Sequence, residues 1–443
     1  MKRILYIGIV LCVVFMAACE NKTTTPVTSS VARLTSFSFA KNDSMPGLNQ
    51  AVFTIEERLD TGLVWNKDSM LFGTRLDTVV PKFGFAATPG AAFLTMGDTT
   101  ISLTGYDTLN FNKRPVYLTV RSSDKTVTKV YEIKATVHQV NPDLYEWQRL
   151  TDGIYPADDS EQRVVELGLD FVMISSNGFA LHAYKSADGV AWTDIGQPSG
   201  LPAGTKVRQI ISDGQTLYYG QGSMVYTSAD GVTWTAHSVS WQVITMLMNW
   251  NGKVWALVEN DGYELATFAE NALALSGLKP AGEFPVSDFA AVCFMSPSGR
   301  PRAMIIGGFA ENGRSLNTRW NFEYSTHQVG GTYRMEEFSI DRPKFESLTG
   351  ISVIWYNNQL QLFGGVNADM RYFGRDILLS NNEGLTWTKA DSALNRLPSV
   401  YQARQKQTAI VRGSYIYLFG GQDKTTTYSD VYRGKLNSID WAK

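Results

Sequence analysis

Arginines at the starts of apolar strands, Ser-x-Asp turns, and a few isolated histidines and cysteines are the residues of this sequence whose types and spacing could do chemistry. Arg163, Arg208 and Arg404 stand at strand entrances, and guanidinium groups brought together there could grip a substrate carboxylate through paired N–H donors. A glycosidase built on them would also need an acid and a nucleophile facing each other across the scissile bond. No matching set of motifs surrounds the three arginines, so ion pairing or solvation is their expected state. His138, His182, His237 and His327 show no close metal-ligand spacing. Three cysteines, Cys12, Cys19 and Cys293, cannot form a clustered thiolate zinc site. No metal, cofactor or catalytic residue is expected.

The Ser-x-Asp turns read SADGVAWT (186 to 193), SADGVTWT (228 to 235) and SNNEGLTWT (380 to 388). Asp188, Asp230 and Asn382 could be taken for acids or bases. They are better explained as turn locks, because an Asp or Asn side chain bonds the backbone of its own turn while glycine supplies a positive φ. Ser186, Gly189 and Trp192 complete the first turn, Ser228, Gly231 and Trp234 the second, and Ser380, Gly384 and Trp387 the third. Each tryptophan is expected to bury its ring between neighbouring sheets.

The elements carrying these turns repeat. Strands ending in the pairs Gly307-Gly308, Gly364-Gly365 and Gly420-Gly421 close the segments at 289 to 308, 350 to 365 and 407 to 421. Shorter copies at 207 to 220 and 243 to 258 fold about Asp-Gly and Asn-Gly turns, the strongest short hairpin signal, and 163 to 180 gives a weaker sixth. Third strands follow at 223 to 228, 320 to 325, 376 to 380 and 430 to 434. A repeated four-stranded unit implies a β-propeller. The Gly-Gly pairs with following Tyr and Trp resemble kelch propellers, and Ser380, Gly384, Thr386 and Trp387 resemble the Asp-box pattern, with Asn382 in the Asp place. The first two turns are one residue shorter than that pattern. Six blades are expected. Either YEWQRL (145 to 150) or SIDWAK (438 to 443) should complete the last one and leave no open edge.

The N-terminus gives an address. Met1-Lys2-Arg3 and the apolar run from Ile4 to Ala18 have the form of a secretory signal, too short for a bilayer-spanning helix. Met16-Ala17-Ala18-Cys19 resembles a bacterial lipoprotein box, with Met in place of the usual Leu. That resemblance implies a signal peptide over 1 to 18, lipidation of Cys19, a flexible tether over 19 to 30, and anchoring in the cell envelope, with the outer membrane preferred. The mature chain would keep one free thiol, Cys293, expected as a buried structural residue in AAVCFM. Without Lys2 and Arg3 the basic residues fall from 40 to 38 against 42 acidic, a formal charge of −4. An acidic balance argues against nucleic acid as a partner.

Residues 31 to 140 form a second unit before a propeller over 141 to 443. Apolar and polar residues alternate around Phe37 and Phe39, and VYLTV (116 to 120) faces VYEIKATV (130 to 137) across SSDK as a period-two hairpin. Several strands without helix signals suggest an immunoglobulin-like sandwich. The stretch from Gly105 to Val120 resembles the Ig-like modules of Bacteroides-type surface lipoproteins, and the whole plan resembles an uncharacterised lipoprotein family of that group. The expected fold class is all-β, an Ig-like sandwich followed by a six-bladed kelch-like propeller.

The longest loops between second and third strands, 309 to 319, 366 to 375 and 422 to 428, supply Arg314, Arg319, Arg371, Tyr372, Arg375, Lys424 and Tyr428. This mixture suits stacking on sugar rings or engaging acidic groups, and loops on a rigid scaffold commonly carry recognition. The expected function is a membrane-anchored envelope lipoprotein whose propeller is a non-catalytic binding module for a glycan or an envelope protein. The alternatives are a sialidase-like hydrolase or lyase and a structural assembly protein of the envelope.

Overall fold

The computed structural model describes residues 28–59, 61–103, 108–151, 161–326, 331–338 and 346–440. The segments expected as leader and lipidated Cys19, and most of the expected tether, lie outside these residues. The chain divides between Asn141 and Pro142 into two compact units. No helix among the described residues is long and apolar enough to cross a membrane.

In the first unit, a six-stranded sheet runs in the order Phe53–Glu57, Thr61–Asn66, Thr128–Lys134, Val116–Arg121, Ala91–Met96, Thr99–Ser102. The pairing of Thr61–Asn66 with Thr128–Lys134 is parallel and the rest antiparallel. A second sheet pairs Leu34–Phe39 with Pro81–Phe85. Alternation decides which side chains enter the core: Tyr131 and Ile133 are buried while Lys134 between strand and solvent is exposed. Phe37 and Phe39 from the small sheet meet Phe53 and Phe111 edge to face at 4.7 to 5.5 Å, a favoured aromatic geometry. The buried Tyr131 hydroxyl accepts from the Leu34 amide at 2.9 Å and donates to Glu57 Oε1 at 2.9 Å, joining the sheets.

The second unit is a succession of antiparallel meanders. Its four-stranded sheets are Glu161–Leu167 to Thr193–Gly196, Ala290–Met295 to Thr332–Glu337, and Ser352–Tyr356 to Thr388–Lys389. A six-stranded sheet running from Ile211–Ser212 to Ala272–Leu275 lies between the first two in sequence. In the last sheet Thr408–Arg412, Tyr415–Gln422 and Thr427–Leu436 are joined by Tyr145–Thr151 from the unit's own beginning. Consecutive meanders closed by their first strand are the topology of a β-propeller, which removes open sheet edges. Of the two strands that could have closed it, the 145 to 150 segment does. Asn437–Asp440 is instead a 3-10 turn, with the Asn437 and Ser438 amides donating to Leu144 and Pro142 carbonyls at 3.0 and 3.1 Å.

The glycine pairs have a packing reason. A Cβ on Gly307, at φ +63°, would lie 2.1 Å from the Leu348 carbonyl oxygen, and one on Gly308 would lie 2.6 Å from that of Ser287. The pair therefore lets each second strand pass against the connection into the next sheet, where the Gly308 amide donates to Leu348 O at 2.8 Å.

The Ser-x-Asp turns fasten adjacent sheets. Ser228 Oγ donates to Asp230 Oδ1 at 3.0 Å and accepts from the Gly231 amide at 2.9 Å, while Asp230 Oδ1 accepts from Val232 and Thr233 at 2.8 and 2.7 Å. The turn at Ser186 and Asp188 repeats this pattern, and in the third turn Asn382 Oδ1 takes the Thr386 amide at 2.9 Å. Trp192, Trp234 and Trp387 each donate from Nε1 to the carbonyl of their turn's glycine at 3.1 to 3.2 Å. Gly231 and Gly384 pack on Val172 and Met304 of the preceding sheet, and Gly189 packs on Tyr417 and Phe419 of the last one. Cys293, expected inside, is exposed on its strand, because Ala290, Val292 and Phe294 take the inward register.

Candidate functional site

The first strands of the propeller's sheets surround a cavity of about 250 Å³. Glu161 and Arg163 come from the first sheet, Arg208 and Gln209 from the connection into the next, and Ile211 from that sheet's opening strand. Met246 and Leu247 come from Thr235–Trp250, Asp288 to Ala291 and Ile351 to Val353 from the following two sheets, and Ala409 from the last. Lys206, Gln209 and Ser287 also line a second, more open concavity of about 440 Å³ that includes Phe309, Glu311 and Gly313. The loop over 309 to 319 thus forms part of its wall.

Three connections line up around this centre. Asp288, Gly350 and Lys406 each precede a first strand with φ of +50°, +62° and +58°. The Gly350 amide donates to Asp288 O at 2.9 Å, and the Lys406 amide to Gly350 O at 2.7 Å. The Asp288 and Lys406 side chains join Arg208 and Glu161 in an ion-pair network. Arg208 Nε donates to Asp288 Oδ1 at 3.1 Å, and its Nη1 to the Lys406 carbonyl at 2.5 Å. Lys406 Nζ lies 3.6 Å from Asp288 Oδ2 and 3.9 Å from Glu161 Oε1. Both acidic groups of the cavity are therefore engaged by cations.

Arg163 differs. Its Nε is buried, and its side chain makes no hydrogen bond or ion pair among the described residues. Burial, and next to it the charge of Arg208, push its guanidinium down to about 10, the direction expected of a cation held without a counter-ion.

The loop residues expected to bind are dispersed. Tyr372 lies beside Asp423 and Gln405, and burial with the Asp423 charge raises its phenol. Tyr428 donates to Asp423 Oδ2 at 2.5 Å. That bond and the Thr425 amide hold the Asp423 carboxyl down at about 2, while burial and then Asp423 push the Tyr428 phenol up to about 12. Gln405, one residue from Lys406, exchanges backbone hydrogen bonds with Gln422 at 2.8 and 2.9 Å, which ties the loop of Asp423 and Tyr428 to the connection ahead of the last sheet. Arg371 and Lys424 are exposed, and Arg375 is half-buried. Arg314 is paired with Glu283. Arg319 is not a loop residue: it opens the strand Arg319–Ser325, is buried, and donates from Nη1 to the Gly384 and Leu385 carbonyls at 2.8 and 3.0 Å. It braces the third turn of the next sheet.

Arg404, also noted at a strand entrance, is buried in a structural cluster. It pairs with Asp430 and donates to the Gln402 and Gly420 carbonyls, each at 3.0 Å. The Tyr428 ring stacks on it at 3.8 Å. Glu161, Lys206, Gln209, Asp288 and Lys406 carry no motif in the sequence that marks them. The signal for the last two was their alignment with Gly350, directly ahead of three strands already recognised as equivalent. No group of three or more His, Cys, Asp or Glu that could hold a metal occurs among the described residues.

Strand order, closure and central cavity define an all-β protein with a β-propeller domain. A family model described as the DUF6242 beta propeller domain matches residues 141–443, and one described as the DUF6242 N-terminal domain, a domain of unknown function, matches residues 21–135. The chain belongs to the DUF6242 family. No curated protein matches it. A solved structure titled "Structure of YjhT" aligns at 14% identity with a TM-score of 0.47, over 64% of this chain and 96% of that one.

Proposed function

We propose that this protein is a lipid-anchored component of the bacterial cell envelope whose propeller binds a glycan, without catalysis, at the central cavity and the loops beside it. The observation that carries the binding reading is a cavity walled by every sheet of the propeller and lined by Arg163, Lys206, Arg208 and Gln209, since ligand sites are concave and carry a few convergent polar groups. The state of its acids supports binding over hydrolysis. Glu161 and Asp288 are both held by Lys406, and Asp288 also by Arg208, which leaves neither placed as a free acid and base pair. The address rests on the lipobox-like Met16-Ala17-Ala18-Cys19.

Within this proposal the propeller has six blades. The six-stranded sheet is counted as two, because 235 to 238 pair back with 224 to 227, whereas 242 to 250 pair forward with 253 to 259. The kelch-like and Asp-box-like motifs are then the devices that close each blade and clip it to its neighbour. The first unit, with two sheets sharing one aromatic core, acts as an Ig-like spacer.

A soluble form starting at Glu20, applied to a broad glycan array with released sugar monitored in the same wells, tests the function. Binding without release, lost when Tyr372 and Tyr428 are both changed to Ala, is expected. Release of sugar would overturn the non-catalytic assignment. Silence on the array, with a stable envelope protein co-purifying, would replace the glycan with a protein partner.

A further inference from the structure

We propose that the propeller's central cavity is a carboxylate site, with Arg163 as the anchoring cation and an acidic sugar of monosaccharide size as its ligand. This deepens the glycan-binding proposal and rests on it.

Charge comes first. Arg163, Lys206 and Arg208 line the cavity against Glu161 and Asp288, and Lys406 reaches in to pair with both acids. Four cations against two anions leave a local excess of two positive charges in a chain whose formal charge is −2. The two acids are consumed by Arg208 and Lys406. Arg163 is left with a buried, unpartnered Nε. The residue is half-buried, so its outer nitrogens can face the cavity while Nε is shut off from solvent without a partner, and a polar atom so placed calls for an explanation. The guanidinium fork matches the two oxygens of a carboxylate better than the point charge of a lysine does.

Size and lining narrow the ligand. A volume of about 250 Å³ falls just under the range of drug-sized pockets, which begin at roughly 300 Å³, so one sugar ring fits and an oligosaccharide does not. Gln209, Ser287 and Lys206 offer hydrogen-bonding groups to hydroxyls, and Phe289 offers an apolar face. The more open concavity that shares Gln209 and Ser287 gives the rest of a longer glycan somewhere to lie.

The test is calorimetric titration of the chain from Glu20 onward with glucuronate and galacturonate, with glucose and galactose as neutral counterparts, and with inorganic phosphate. Saturable uronate binding is expected, with the neutral sugars weaker by about ten- to a hundredfold, the span of a charge-assisted pair. Arg163→Gln should erase that preference, and Arg163→Lys should keep part of it. Thermal melting without ligand guards against misfolding: Arg163→Gln should melt close to the parent, since the guanidinium it removes makes no hydrogen bond or ion pair among the described residues. Equal binding of neutral sugars, unchanged by Arg163→Gln, would overturn the inference while leaving glycan binding standing. Binding of phosphate as tight as uronate would make the site a general anion site and overturn the carboxylate assignment. No uronate binding at millimolar concentration would overturn it too. Uronate binding with a silent array would keep the cavity assignment and remove the surface-glycan role.

Discussion

Replacing Asp430 with Ala should loosen the propeller at its closure. Asp430 and Arg404 are 4% and 1% exposed, and Asp430 also takes Arg149 of the closing strand at 3.3 Å. Removing one member of a buried pair typically costs about 3–5 kcal/mol, because the other charge stays buried without compensation. Arg404 would retain the Gln402 and Gly420 carbonyls and the faces of Tyr401, Tyr428 and Tyr432, which places the loss at the lower end, about 3 kcal/mol. Arg149 is 40% exposed, so its share adds no more than about 1 kcal/mol. For a unit spanning Pro142–Lys443 that corresponds to a fall in Tm of about 5–6 °C. Urea unfolding should show a lower midpoint with an unchanged slope. The double variant Arg404→Met with Asp430→Ala should recover part of the loss, since an apolar replacement of a buried pair is often close to neutral. A loss under about 1 kcal/mol for Asp430→Ala, the size of a surface pair, would refute the latch.

Other consequences can be measured on the same material. Gly307→Ala should destabilise far more than Gly413→Ala: both glycines have positive φ, but the new Cβ meets Leu348 O at 2.1 Å in one case and open space in the other. The tip substitution should cost about 1–2 kcal/mol for its left-handed backbone alone, and equal costs in urea unfolding would contradict the packing account. The Val190 and Ala191 amides hold the Asp188 carboxyl below its ordinary value. At Asp230 burial acts to raise it, and the Thr233 and Val232 amides outweigh that. Folded values below unfolded ones mean this stabilisation is complete above about pH 4 and is lost as pH falls through the lowered values. Asp188→Asn should flatten the acid limb of the unfolding midpoint by lowering stability at neutral pH, where the ionised carboxyl contributes, while the turn itself persists, as Asn382 in the third turn shows. Ser228→Ala should cost about 1 kcal/mol or more by stripping the buried Gly231 amide of its acceptor, seen as a lowered urea midpoint.

What the sequence disclosed follows from which forces are local. The glycine pairs and Ser-x-Asp turns were legible because a positive φ and a side chain bonded to its own turn restrict residue choice directly. The 116 to 137 hairpin was legible because period two needs only neighbours in sequence. The parallel pairing of Thr61–Asn66 with Thr128–Lys134 was not, since it joins distant segments with no turn to announce it. The choice of closing strand was hidden because both candidates have similar composition, and the decision lies in register: a Cβ on Gly434 would lie 2.5 Å from the Trp147 ring, so glycine there admits that tryptophan. The cavity was hidden for a related reason. Arg163, Arg208 and Arg404 look alike at strand entrances, yet one is unpaired in the cavity, one is paired across it, and one is buried in the last sheet. Arg319 belonged by position to a loop and by contact to the next sheet's turn.

The most direct measurement is hydrogen–deuterium exchange of the chain from Glu20 onward, with and without the best-binding glycan from the array. Slowed exchange is expected at 161 to 163, 206 to 211, 287 to 291 and 405 to 409, around the cavity, with the first unit unchanged. Protection confined to the first unit, or to the Ser-x-Asp turns at 186 to 193 and 228 to 235, would contradict it.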